Sequence, residues 1–139
     1  MSNSLIDAFG KFGARPRSRV RGRSAIAGDG ALVLSCLTAH LRRPGPGVLR
    51  YEDTLSRDPS DRPGTALLGE HLTLARDGQL PVRMVVIAEA RAGRTERSIY
   101  ARPDLVGRLT EFDGDHFIVD FTRVSADSQH PAGSRKRRN

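Results

Sequence analysis

The alternation of apolar and polar positions is clearest in the last third of the chain. Across His116–Val124, Phe117, Val119 and Phe121 share one parity and Asp120 and Thr122 the other, the two-residue period of a strand with one face in a core. Leu105–Phe112 precedes it, and Asp113-Gly114 lies between, so the pair predicts a hairpin. A second hairpin is predicted where Ser24–Ala27 and Ala31–Leu37 flank Gly28-Asp29-Gly30, with Leu32, Val33, Leu34 and Leu37 marking a core strand. Leu80–Ala90 contains the run Met84-Val85-Val86-Ile87, which suits a strand covered on both faces. Val48–Tyr51 reads as a short strand, and Ser98–Tyr100 as a strand remnant or loop anchor.

Helical spacing occurs twice. Over Thr65–Arg76, Leu68, Leu72 and Ala75 form one stripe with His71 beside it, Thr65 is a plausible cap, and Gly78 is a stop. Leu5, Ile6, Phe9 and Phe12 recur on a shorter segment capped by Ser4 and weakened by Gly10 and Gly13. From Thr38 to Gly64 proline and glycine break the pattern, notably at Arg42-Arg43-Pro44-Gly45-Pro46-Gly47, so the expectation there is a long irregular loop around the short strand. Arg91–Thr95 reads as a polar turn. The order predicts an α+β domain: a mostly antiparallel sheet of about five strands with two hairpins, one main helix and a short N-terminal helix. The expected organisation is an N-terminal helix and basic arm (1–23), a single α+β domain (24–124) and a disordered basic tail (125–139), without an internal repeat.

Length and composition narrow the class. A chain of 139 residues fits one domain, and an apolar fraction of 37% suffices for its core. The single Cys36 excludes a disulfide framework and a four-cysteine zinc site. No apolar run nears the ~20 residues that span a bilayer, and the chain opens without a signal-peptide pattern. A cytoplasmic protein with no membrane partner is therefore expected.

Charge changes the picture more. The net charge is +7, and it is segregated: residues 1–23 carry +5, residues 24–133 carry −2, and the tail from Ser134 carries +4. A nearly neutral body with two basic ends is the pattern expected when the ends meet a polyanion. Arg15, Arg17, Arg19, Arg21 and Arg23 occupy every second position. In an extended segment they would project from one face about 6.6 Å apart, at ~3.3 Å rise per residue. The opposite parity (Pro16, Ser18, Val20, Gly22, Ser24) is too small and polar for a core, so the segment reads as an edge strand or arm. Arginine outnumbers lysine 21 to 2. Codon usage accounts for most of that bias, although guanidinium is also the better bidentate phosphate ligand.

These arginines point to nucleic-acid binding, DNA or RNA, through phosphate contacts with little sequence preference. The basic tail and Arg42 and Arg43 are expected as secondary contacts, and the basic loop Arg91, Arg94 and Arg97 as a further group able to neutralise phosphates. The chain lacks tryptophan and offers only Tyr51 and Tyr100 as exposed aromatic candidates, a poor supply for base stacking. No helix-turn-helix or finger pattern suggests major-groove readout. The alternative is a small phage- or plasmid-type inhibitor that docks on a host nucleoprotein or defence complex.

Enzymatic readings are weaker. Pro103-Asp104 resembles the first half of a metal-dependent nuclease site, but Glu111 and Asp120 are followed two residues later by Asp113 and Thr122 rather than lysine. His40, His71, His116 and His130 lack metal-ligand spacing, and Asp113, Asp115 and Asp120 read as a solvated turn. Cys36 falls inside an apolar strand, where a thiol is a core filler. Neither phosphate-binding glycine motif is present. A non-enzymatic protein without metal or cofactor is expected.

The segment Phe12-Gly13-Ala14-Arg15-Pro16-Arg17-Ser18 resembles the opening of a group of small bacterial proteins that begin with an FGAKPKN-like stretch followed by a tryptophan-containing strand. The resemblance continues through Arg62-Pro63-Gly64, Glu70-His71-Leu72, Ala75-Arg76, Arg83–Ile87, Arg97-Ser98-Ile99, Leu105-Val106 and Leu109-Thr110, covering about residues 9–121. It implies an association with mobile elements or DNA-modification systems. Where tryptophans would be expected, near Arg21 and Arg23, this chain carries arginine, which favours backbone contact over stacking.

Overall fold

The computed structural model describes residues 4–17, 22–88 and 98–124. In chain order it contains α1 (Leu5–Gly10), β1 (Ser24–Ile26), β2 (Leu32–Leu37), β3 (Leu41–Gly45), β4 (Val48–Thr54), α2 (Arg62–Gly78), β5 (Val82–Ala88), β6 (Ser98–Phe112) and β7 (His116–Arg123), with single 3-10 turns at Thr38–His40 and Leu55–Arg57. The strands form one sheet in the order β1-β2-β5-β6-β7-β4-β3. Every neighbouring pair is antiparallel except β2 and β5, which run parallel with Leu34 opposite Met84 and Cys36 opposite Val86. The fold is α+β with a mostly antiparallel sheet. No helix among the described residues is long and apolar enough to cross a membrane.

Strand alternation divides the core between two sheet faces. Leu32, Leu34 and Cys36 of β2 and Val82, Met84 and Val86 of β5 meet Leu68, Leu72 and Ala75 of α2, together with Tyr51, Leu105, Phe117, Val119 and Phe121. On the opposite face Val33, Val85 and Ile87 pack with Leu5, Ala8 and Phe9 of α1. The central strands are therefore apolar at nearly every position because both faces are covered.

Both expected hairpins are present, and each turns on a glycine in the left-handed region, Gly30 (φ 93°) and Gly114 (φ 106°). The sheet has seven strands rather than about five. The uncounted material lies mainly in the supposed loop from Thr38 to Gly64, where Leu41–Gly45 forms β3 and pairs with β4 around a Pro46-Gly47 turn. Pro44 fits there because β3 is an edge strand, with no further strand requiring its missing N–H. Ser98–Tyr100 and Leu105–Phe112 are two halves of one strand, β6.

The main helix begins three residues earlier than Thr65. Its cap is Asp61, whose carboxylate accepts from the Gly64 amide, and Pro63 sits within the first turn. A Cβ on Gly64 would overlap that carboxylate, so the Asp61 side chain occupies the space glycine leaves. At the other end Gly78 is still helical, and Gln79 takes the left-handed conformation (φ 51°).

Pro16 and Gly22, on either side of residues outside the description, lie close together. A Cβ placed on Gly22 would lie 2.7 Å from Pro16 Cβ. An extended chain would separate those positions by roughly 20 Å at ~3.3 Å per residue. Arg19, Arg21, the tail 125–139 and the Arg91–Thr95 turn lie outside the described residues.

Candidate nucleic-acid interface

Arg17 and Arg23 both reach the stretch from the end of β4 to the start of α2. Arg17 reaches the two carboxylate oxygens of Asp61 at 2.6 and 2.7 Å, which ties the segment to the α2 cap. Arg23 is largely buried and donates to the carbonyls of Thr54 (2.6 Å) and Leu55 (2.9 Å) and to Asp53 (3.3 Å). Asp53, also buried, accepts from the Tyr51 hydroxyl (2.6 Å), the Thr54 amide (2.7 Å) and Arg57 Nε (2.8 Å). Burial pushes the Asp53 carboxyl up, but the Tyr51 hydroxyl, the Thr54 amide and Arg57 outweigh it and hold the group below the usual carboxylate value. Burial and then repulsion from Arg57 lower Arg23. Burial, followed by Cys36 and Asp53, pushes the Tyr51 phenol up. The Cys36 thiol beside them is fully buried and pushed well up by desolvation, which makes it inert as a nucleophile.

Two of the five alternating arginines are thus structural. They are fixed by acids 44 and 30 residues away, a pairing that local parity does not reveal. Arg15 is exposed. Arg42 pairs with Glu52 at 2.6 Å, and Glu52 also meets His116 Nε2 at 2.5 Å. Arg43 is exposed. Arg91, Arg94 and Arg97, like Arg19 and Arg21, lie outside the described residues.

The other groups considered for chemistry have ordinary partners. Asp104 is held by Arg102 and Arg123, and Asp120 by both nitrogens of an Arg50 fork at 2.7 and 3.0 Å. Asp113 accepts from the Asp115 and His116 amides, and Asp115 accepts from Ser56. His40 Nδ1 donates to the Glu52 carbonyl, and His71 Nδ1 shares a 2.8 Å hydrogen bond with Ser24 Oγ. His130 lies outside the described residues.

A different set of arginines converges. Arg43, Arg102 and Arg123 line a cavity of about 180 Å3 together with Gly47, Leu49, Leu105 and Phe121. Arg43 and Arg102 sit beside irregular pairing, whereas Arg123 is in regular register with Leu105 at the end of its strand. The β3–β4 register slips between Arg42 and Gly45, and β6 bulges so that Pro103–Val106 lie opposite Arg83 alone. Arg123 is the last residue of β7. Bulges re-aim side chains, here toward one end of the sheet. Phe121 forms part of the wall because it lies against Gly107 on the neighbouring strand, where a Cβ would come within 2.6 Å of the ring.

Asp104 is the carboxylate at this mouth. It takes both nitrogens of the Arg102 fork at 2.9 and 3.0 Å and lies 3.6 Å from Arg123. The hydrogen bond from Arg102 holds Asp104 below the usual carboxylate value, and the same bond raises Arg102. Arg123 remains four-fifths exposed, so its other nitrogens face water. Phe121, Leu105 and Arg123 were all legible as strand positions, and the parity of Phe117, Val119 and Phe121 continues to Arg123. Their meeting with Arg43 was not legible, because it depends on two bulges.

An apolar groove of about 1080 Å3 runs between α1 and the first half of β6, with Ile6 and Tyr100 exposed along it. Comparison with protein-family models, curated proteins and solved structures found no match to this chain.

Proposed function

We propose that this chain is a non-enzymatic nucleic-acid-binding domain making phosphate contacts with little sequence preference, and that the folded part of its interface is the Arg43/Arg102/Arg123 mouth. The observation that carries the reading is that these three arginines, from three different strands, line one cavity, with Asp104 against two of them. Arginine forks suit phosphate oxygens. The basic ends of the sequence add long-range attraction without having to be ordered. Arg17 and Arg23 leave the proposed contact set, since folding already occupies them.

Fluorescence anisotropy of labelled DNA and RNA at several salt concentrations tests the reading. For duplex DNA each phosphate contact contributes about 0.9 to the slope of log affinity against log salt. Arg43→Gln with Arg123→Gln should lower that slope by roughly 2 and weaken all sequences alike. Failure of the wild-type chain to bind any form at low salt would refute the proposal, as would an unchanged slope in the double variant.

A further inference from the structure

We infer that the Arg43/Arg102/Arg123 pocket receives a phosphate monoester, so that the protein recognises the phosphorylated end of a nucleic acid rather than only its backbone. This rests on the nucleic-acid reading above and names the group its site is built to take. Charge is the first argument. Three arginines line the cavity and Asp104 pairs with two of them, which leaves a local excess of two positive charges. A backbone diester carries one negative charge, whereas a monoester carries about −1.5 to −2 at neutral pH and offers three strong acceptor oxygens.

Shape is the second argument. The cavity holds about 180 Å3, enough for one tetrahedral oxyanion. Its apolar wall is made by Leu49, Leu105 and Phe121, the last two buried beneath the arginines. A diester must continue on both sides of the bound phosphate, whereas the floor of this cavity is buried apolar side chain. A terminal group needs only the open side.

The third argument is preorganisation. Asp104 fixes the Arg102 fork with two short hydrogen bonds, and the long 3.6 Å contact leaves Arg123 only loosely held. Arg102 therefore presents a set position, while Arg43 and Arg123, both exposed, can close over an incoming oxyanion. Asp104 acts as a positioning residue that touches no ligand. Its carboxylate also disfavours a second anion.

The test uses the full chain and one oligonucleotide sequence carrying a 5′-phosphate, a 3′-phosphate or hydroxyl ends, with affinities read by anisotropy. Inorganic phosphate serves as competitor, and the Arg Nε–H NMR signals as a second readout. The expected result is about tenfold tighter binding of a phosphorylated end. That preference should disappear in both Arg43→Gln and Arg123→Gln, and it should fade as pH drops through the monoester's second pKa near 6. The two exposed substitutions are read separately, with circular dichroism confirming that each chain is folded.

Equal affinity for phosphorylated and hydroxyl ends, in a chain that binds both, overturns end recognition and leaves the backbone-binding reading standing. Inorganic phosphate moving the Arg43, Arg102 and Arg123 signals while no oligonucleotide binds supports the pocket and overturns the nucleic-acid reading. Silence of those signals toward every ligand overturns both.

Discussion

Asp53 accepts from four donor groups while its carboxylate is almost wholly shielded from water: the Tyr51 hydroxyl, the Thr54 amide, Arg57 and Arg23. Such a group is strongly held only as a set, because desolvation of each charge is offset by its partners. Removing the acid strands Arg23, whose side chain is only 10% exposed, beside a second cation. Asp53→Ala should therefore cost about 3–5 kcal/mol, measured by urea denaturation, whereas Arg76→Ala, which breaks an exposed pair with Asp77, should leave the midpoint nearly unchanged. The folded-state value of Asp53 is depressed, so its stabilisation is present above the ordinary carboxylate range near ~3.9 and is lost as acid carries the pH down through the folded value. The sequence held one hint of this acid. Leu49, Tyr51 and Asp53 share a parity, which places a carboxylate on the core face of a strand.

At the scale of elements, α2 and β1 are joined by the hydrogen bond between His71 Nδ1 and the buried Ser24 Oγ. Burial lowers His71, with Glu70 opposing more weakly. The imidazole is therefore favoured neutral in the folded chain. Its contribution to stability is complete above the ordinary value near ~6.5 and is lost as pH falls below it, because the unfolded chain then binds the proton more readily. Thermal melts between pH 7.5 and 5 should show a downward slope in wild type that is reduced in His71→Gln. An equal slope in both chains would remove His71 from the account.

The elements differ in how far the sequence disclosed them, and the differences have physical causes. Asp-Gly and Gly-Asp-Gly turns act locally, so both hairpins could be read from a few residues. Helix α2 was legible from its stripe, but its start depended on the Asp61 side chain reaching Gly64. Strand β3 was hidden by Pro44, which breaks a central strand but not an edge one. The parallel pairing of β2 with β5 joins segments separated by β3, β4 and α2, and nothing local encodes it.

Across the whole molecule, arginine parity in 15–23 suggested a single cationic face, and folding engages Arg17 and Arg23 with acids of the body instead. Arg17 and Arg23 hold the chain to the stretch leading into α2, while Arg43, Arg102 and Arg123 of β3, β6 and β7 line one cavity. Periodicity shows which side of a strand a residue takes. It does not show which acid will meet it, and it cannot place a side chain that a bulge has redirected.

The most direct test of the proposed interface is an NMR titration of isotopically labelled full-length protein with a short duplex at low salt, following backbone amides and Arg Nε–H groups. The account predicts that the largest shifts cluster at Arg43, Arg102 and Arg123 and their strand neighbours, and that added salt reverses them. Arg17 and Arg23 should remain still, held by Asp61 and Asp53. Shifts confined to the groove beside α1, or no shifts anywhere in the folded domain, would contradict the account.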